Sequence, residues 1–277
     1  MTYKDLLHDR ATRSAYVEEE IGVPEEEVPE RIVVSPIPFE EVFPANFESR
    51  MISAGINAES LQPGDYIINK MGHNILAEYS GRKTLFAILG RGVVEFSDRI
   101  YLLSLIDNVR DIIFVGSAAS LHDRVQTGDI NVPELALPLE NVSALHVDVN
   151  RAVPRADPAL HQELVDAARK FSTAPVHVEK HATVTLFYQE TRELLEFLRD
   201  FGVATIDMEL SALYRITRFY GKHSAAIVRV SDMPLHGKHI LDEEYARTKK
   251  TLRERAKEIL FKTAVAATLG KDVAKRL

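Results

Sequence analysis

The chain has no cysteine. That excludes disulfides, thiolate nucleophiles and Cys-ligated zinc together, and mildly favours a cytoplasmic address. A basic excess is also missing: 34 Lys and Arg stand against 41 Asp and Glu, a formal charge of −7. Nucleic-acid binding needs a basic face to neutralise phosphates, and none is evident. No stretch reaches the roughly 18 uninterrupted apolar residues of a membrane span, and the N-terminus lacks the apolar core of a signal peptide. There is no Gly-x-Ser-x-Gly elbow, and the Gly90-Arg91-Gly92 turn lacks the rest of a dinucleotide fingerprint. The histidines show no metal-ligand spacing; His236 and His239 are three apart, but no acid or thiolate completes a set. The expectation is a soluble, cytoplasmic protein with no cofactor, no metal, no nucleic acid and no membrane contact.

What is present is an ordinary globular balance, 45% apolar and 27% charged over 277 residues, enough for a substantial core. Residues 1–30 are polar and carry two acidic triplets, Glu18–Glu20 and Glu25–Glu27, with Pro24 and Pro29 around the second. They read as a solvated helix and a linker, because charge runs usually face water. From Arg31 onward, short β-branched runs alternate with amphipathic segments. Strands are expected at Ile32–Ser35, Tyr66–Asn69, Thr84–Leu89, Asp111–Gly116, Val203–Met208 and Ser224–Ser231, and helices near 95–108, 158–171, 190–200, 209–220 and 242–269. Such alternation means an α/β fold with a sheet covered on both faces. Residues 31–277 read as one domain behind the extension at 1–30.

Ligands of open α/β sheets bind beyond the carboxyl ends of strands, and three segments put small or polar residues there. Phe114-Val115-Gly116-Ser117-Ala118-Ala119-Ser120 ends a strand in small residues, which let backbone N–H groups approach an anion. A tight structural turn would look the same. Ala204-Thr205-Ile206-Asp207-Met208-Glu209 delivers two carboxylates at a strand-to-helix junction. Either could cap or complement the helix, or grip ligand hydroxyls. Ile227 to Gly237 delivers Ser231-Asp232 and then a loop forced by Pro234 and Gly237. Asp232 could be another cap, or the acid of a general-acid site.

Taken in order, these segments resemble the nucleoside phosphorylase and nucleosidase superfamily, in which one strand ends in Gly-Ser/Thr, a later one carries Met-Glu and the next Ser-Asp. Here these are Gly116-Ser117, Met208-Glu209 and Ser231-Asp232, and Leu186-Phe187-Tyr188 lies where family members place a base-stacking aromatic. Asp207-Met208-Glu209 and Pro234-Leu235-His236-Gly237 look most like AMP nucleosidases. Phe114 stands where some bacterial phosphorylases have an arginine that holds inorganic phosphate. The chain departs from the pattern at Ala119-Ser120 and Val94, where glycines are usual, and at Ser35-Pro36-Ile37-Pro38, where a Gly-Asp phosphate loop is usual. Those departures leave water or phosphate open as the nucleophile.

The resemblance implies a single α/β domain around a mixed, mainly parallel sheet flanked by helices. It also implies cleavage of the N-glycosidic bond of a purine nucleotide or nucleoside, with hydrolysis of AMP as the main expectation. A phosphate-dependent purine or uridine phosphorylase is the alternative, and a non-catalytic nucleotide-binding relative a third. Asp232 would be the general acid to purine N7, oriented by Ser231, and Glu209 would hold the ribose hydroxyls near the cationic sugar. Met208 would pack under the ribose and Phe187 on the base. Glu41 would activate water. Arg91, Gly116 and Ser117 would meet an anion, either inorganic phosphate or a phosphoryl group, and His236 with Lys238 and His239 would reach a 5′-phosphate. A homo-oligomer is implied too, dimer-based and up to a hexamer, with Lys70 and His73 as candidates to complete a neighbour's site.

Overall fold

Pro36 and Pro38 withdraw backbone donors just after Ser35 and so end the first strand early, which shapes the whole sheet. The computed structural model describes Leu7 and residues 9–61, 73–146, 153–239 and 242–277. The strand expected at 66–69, and Lys70, lie outside the described residues. The strands are β1 (Arg31–Ser35), β2 (Asn57–Leu61), β3 (Asn74–Tyr79), β4 (Arg82–Ile88), β5 (Asp111–Ser120), β6 (Ile130–Asn131), β7 (Ala136–Pro138), β8 (Val176–His177), β9 (Lys180–Thr183), β10 (Val203–Asp207) and β11 (His223–Asp232). The helices are α1 (Arg10–Ile21), α2 (Phe39–Val42), α3 (Phe47–Ser53), α4 (Val93–Ser104), α5 (Pro158–Phe171), α6 (Arg192–Asp200), α7 (Leu210–Phe219), α8 (Glu243–Thr248), α9 (Lys250–Thr268) and α10 (Lys271–Ala274).

The strands form one mixed sheet, and β5 is its axis. Along one edge β5 pairs in parallel with β11 over nearly its full length. Along the other it pairs in parallel with β1 only as far as Phe114. Beyond that point β10 takes over, antiparallel, at Ala119 and Ser120. Further parallel pairs join β1 to β4, β9 to β10, β7 to β9 and β6 to β8, while β2, β3 and β4 make an antiparallel meander at one edge. Ile112 to Val115 and Ala225 to Val228 are fully buried, as central strands covered on both faces must be. The helix pairs α5–α9 and α4–α7 supply the cover. The fold is therefore the mixed, mainly parallel α/β sheet expected. No helix among the described residues is long and apolar enough to cross a membrane.

Two differences from the sequence reading have simple causes. Helix α1, expected to be solvated, buries Val17 and Ile21 in the main core. Their spacing of four puts them on one helix face. Two of the acids expected in water are buried in ion pairs instead: Glu20 with Arg99 (3.0 Å) and Glu25 with Arg13 (2.7 Å). The single helix expected at 242–269 is broken at Lys249, where the backbone leaves helical geometry (φ −99°, ψ 6°). The break accompanies a contact between the Tyr245 and Thr127 hydroxyls.

Candidate active site

The carboxyl ends of β5, β10 and β11 lie side by side, and the two acids that follow Ile206 have different surroundings. Asp207 accepts the Leu210 amide at both oxygens (3.2 and 3.1 Å), the Glu209 amide (3.2 Å) and the Thr183 hydroxyl (2.8 Å). His181 Nε2 lies 2.9 Å from it on the sheet side. Asp207 is thus the cap of α7, with its lone pairs committed to the fold.

Glu209 is free of that duty. Only 4% exposed, it turns its carboxyl to the loop after β4, where the Gly92 amide donates to Oε1 at 2.6 Å; the Met208 amide donates to Oε2 at 3.3 Å. Gly92 holds φ +85°, which suits glycine and aims its N–H at the acid. Burial raises the Glu209 pKa above the ordinary carboxylate range; the Asp207 charge adds to the rise, and the two amides and Arg91 oppose it.

Asp232 is 7% exposed, at the end of β11. The pairing register with β5 shifts between Val230 and Asp232, a bulge that re-aims the strand's last side chains. The Ser231 hydroxyl lies 2.5 Å from Asp232 Oδ1 and 3.1 Å from the Ala118 carbonyl, and its one hydrogen serves one of them at a time. Arg253 of α9 fastens the bulge by donating to the Ser231 carbonyl from Nε (3.3 Å) and Nη2 (3.0 Å).

One candidate residue escaped the sequence reading. Arg229 sits opposite Ser117 in the β11–β5 register and is 6% exposed. Its Nη2 donates to the Glu41 backbone carbonyl (3.2 Å), while Nε and Nη1 are buried and, among the described residues, have no hydrogen-bond partner. Burial and the neighbouring Arg253 lower its pKa to about 10; Glu41, Glu254 and Asp232 pull the other way. A buried guanidinium with two unpartnered nitrogens beside a second cation has the chemistry to receive an anion. In sequence it reads as an interruption of an apolar strand, and nothing marks it out. The Glu41 side chain is exposed at the surface of α2, with its charge near Arg229.

The remaining candidates are scattered more widely. Ser117 is half-buried and Gly116 buried on β5; a Cβ on Gly116 would fall 2.5 Å from the Phe114 ring. Met208 packs with Ala119 and Leu235 against a small core of β9, β10 and α6 side chains. Phe187 is 48% exposed on a short turn, edge-to-face with Tyr188 at 6.0 Å. That turn follows Val184, whose amide is tied to the Asp207 carbonyl (2.9 Å). Arg91 is exposed and borders a cavity of about 520 Å³ with Tyr16, Thr185 and Leu186. A larger cavity, about 740 Å³, opens at the amino ends of β1 and β4, the wrong end of the strands for a ligand site of this fold.

His236 does not point to Asp232 as a cationic clamp would; its Nε2 is 3.1 Å from Asp123 Oδ1, which the loop after β5 brings to it. His73 pairs with Glu48 (3.1 Å), and together with Glu40 these are the described residues whose ligand atoms cluster, within 4.8 Å. All three lie at least partly exposed. A last acid, Glu190, lies outside the sequence motifs. It directly follows the Phe187 turn and is half-buried.

Residues 33–266 match the family described as the Phosphorylase superfamily. Among curated relatives, the chain is 29% identical over 188 residues to a DeoD-type purine nucleoside phosphorylase of Colwellia psychrerythraea, covering 67% of this chain and 78% of that one. It is 28% identical over 172 residues to the DeoD-type enzyme of Bacillus cereus, covering 61% and 72%. Among solved structures, uridine phosphorylase from Vibrio fischeri superposes with a TM-score of 0.71 at 20% identity over 88% of this chain and 93% of that one. Purine nucleoside phosphorylase from Toxoplasma gondii, in complex with immucillin-H, gives 0.68 at 19% identity over 93% and 98%. At those identities the two structures establish a shared fold.

Proposed function

The chain belongs to the phosphorylase superfamily, and from that premise we propose that it cleaves the N-glycosidic bond of a purine nucleoside with inorganic phosphate as the acceptor. The relatives named above favour phosphorolysis over the AMP hydrolysis expected from the Pro234–Gly237 motif. The observation that carries the reading is Arg229: a buried guanidinium with unpartnered Nε and Nη1, in register with Ser117 and close to Asp232. It answers the absence of an arginine at Phe114 by offering phosphate a cation from the next strand.

The chemistry follows from where charge develops. As the bond breaks, the sugar becomes cationic and the base anionic, and both must be stabilised more in the transition state than before it. Glu209 has one oxygen on the Gly92 amide and lone pairs left for the ribose 2′- and 3′-hydroxyls. Burial favours the neutral form of its carboxyl. Positive charge growing on the sugar favours the ionised form, so the interaction strengthens along the reaction coordinate. Asp232, oriented by Ser231, meets N7 of the leaving base, and Met208 packs beneath the ribose. Phe187 covers the base from its turn. Phosphate on Arg229 and Ser117 attacks C1′ as the C1′–N9 bond breaks, and a proton passes to the leaving base at N7 through Asp232, giving free base and ribose 1-phosphate.

A second reading, hydrolysis, draws on one observation: Glu41 lies close to Arg229, so an acid and a cation could share a water there. The 5′-phosphate clamp once expected of His236 is weaker, because Asp123 pairs with that ring. Product analysis on adenosine, inosine, uridine and AMP, each with and without phosphate, decides among these. Base plus ribose 1-phosphate, formed only with phosphate, is the expected outcome. Free ribose or ribose 5-phosphate released at the same rate without phosphate selects hydrolysis, and no cleavage of any of the four overturns both. The proposal includes a dimer-based homo-oligomer, which sedimentation velocity checks.

A further inference from the structure

Two buried threads tie helix α1 to the turn that presents the Gly92 amide to Glu209. In the first, Asn74 at the head of β3 donates from Nδ2 to the Ile21 carbonyl at the end of α1 (2.8 Å). Its Oδ1 accepts the Ile88 amide at the end of β4 (2.8 Å). In the second, Arg99 of α4 donates from Nε to Glu20 of α1 (3.0 Å). Its Nη1 donates to the Leu89 carbonyl (2.8 Å) and to Glu95 (2.8 Å). Asn74, Glu20 and Arg99 are all buried. Gly90-Arg91-Gly92 directly follows Ile88-Leu89, so both threads end within four residues of the amide that meets Glu209.

These contacts set the path of the chain as it leaves the sheet. Backbone groups past a strand end need new partners when buried, and Arg99 takes the Leu89 carbonyl just before the turn begins. Glu95 lies against Gly90, where a Cβ would overlap its carboxyl. A buried guanidinium holds its place only when it is paired. Of the two carboxylates on Arg99, Glu20 is the deeper, its side chain 10% exposed against 37% for Glu95. Helix α1 lies outside residues 33–266, the stretch that matches the family. This chain's own extension therefore supplies the buried counter-charge of the turn.

Resting on the nucleoside-cleavage reading above, we propose that Glu20 is a positioning residue. Acting through Arg99, it holds the Leu89–Gly92 turn, and with it the Glu209 carboxylate, in the geometry that grips the ribose. Helix α1 thus braces the site as well as covering the core. Misplacing a reacting group by ~1 Å can cost ~100-fold in rate, so a loosened turn shows in catalysis.

The test compares Glu20→Ala with Glu25→Ala. Glu25 forms an equally buried pair with Arg13, through both carboxylate oxygens (2.7 Å each), but joins α1 to the turn after it. It therefore controls for the loss of a buried ion pair as such. Glu20→Ala leaves Glu95 as counter-charge to Arg99. Its kcat/KM for the nucleoside should fall at least ~tenfold, while the KM for phosphate, set at Arg229, stays within about twofold. In a Glu209→Gln background the same change should cost less than ~twofold, because two residues acting through one group are not additive. Glu25→Ala should keep kcat/KM within about twofold of wild type. Wild-type kinetics in Glu20→Ala, the same loss in both backgrounds, or an equal loss in Glu25→Ala overturns the proposal.

Hydrogen exchange gives a readout that needs no activity. Glu20→Gln keeps an acceptor for Arg99 but not the charge, and should speed amide exchange over residues 89–94 relative to wild type. Unchanged exchange there overturns the brace, even where Glu20→Ala does not fold. Wild-type enzyme that cleaves no nucleoside sinks the underlying reaction, and the placing of Glu209 for it. The exchange result still reports whether α1 holds the turn, so the two failures are distinct.

Discussion

The Gly92 amide donates to the Glu209 carboxylate at 2.6 Å, tying the loop after β4 to the head of α7 across 117 positions of sequence. The bond orients Glu209 toward the cleft while Asp207, two residues earlier, is absorbed in capping the same helix. Two acids that look equivalent in sequence thus have separable consequences when removed.

Glu209→Gln keeps the shape and an oxygen for the Gly92 amide but removes the charge that faces the cationic sugar. A loss of at least ~100-fold in kcat/KM is expected, about 2.7 kcal/mol of transition-state stabilisation. Thermal stability should hold or rise, since a buried acid has been made neutral. Near-wild-type kinetics would make Glu209 an ordinary helix-start residue.

Asp207→Ala should do the reverse. It leaves the α7 amides uncapped and strips His181 and Thr183 of a buried partner. A cost of about 3 kcal/mol in unfolding free energy is expected, measured by chemical denaturation. A stability unchanged from wild type would mean that the cap is not what Asp207 provides.

Arg229→Met separates anion binding from folding. Replacing a poorly satisfied buried cation by an apolar side chain should leave stability within about 1 kcal/mol of wild type or raise it. The KM for phosphate should rise at least ~tenfold, a loss of about 1.4 kcal/mol, with a much smaller change in KM for the nucleoside. Equal rises in both KM values would argue against a phosphate role.

Glu190 also leaves a mark on stability. Its folded pKa, about 7, lies above the ordinary value of 4.5, so between those values the folded chain keeps a proton that the unfolded chain releases. Stability from this group is therefore complete below about pH 4.5 and is lost as pH rises through 7. Solvent reaching the half-exposed side chain limits the effect to about 1 kcal/mol. Relative to wild type, Glu190→Gln should gain roughly 2 °C in Tm at pH 8 and nothing at pH 4, as read by differential scanning calorimetry.

The large elements were legible because their signals are local. The apolar runs of β5, β10 and β11 and the periodic stretch of α5 stand where pattern reading puts them. Strands β6 to β9 escaped because each spans only two to four residues, shorter than an alternation needs to be recognised. The Met208-Glu209 and Ser231-Asp232 pairs were legible as motifs. What distinguished Glu209 from Asp207 was not, because it depends on a glycine amide from another strand end.

The sequence alone determined the class of fold, the positions of the longer central strands and the residue types available at strand ends, since these follow from hydrophobic period and from Gly and Pro placement. It also carried the motif spacing that points to the superfamily. Tertiary structure decided the rest. It set Arg229 beside Ser117 with two unpartnered nitrogens and gave His236 to Asp123. The physical reason is the same in each case: a side chain's charge state and freedom to bind are set by what surrounds it in low dielectric, and those neighbours come from distant parts of the chain.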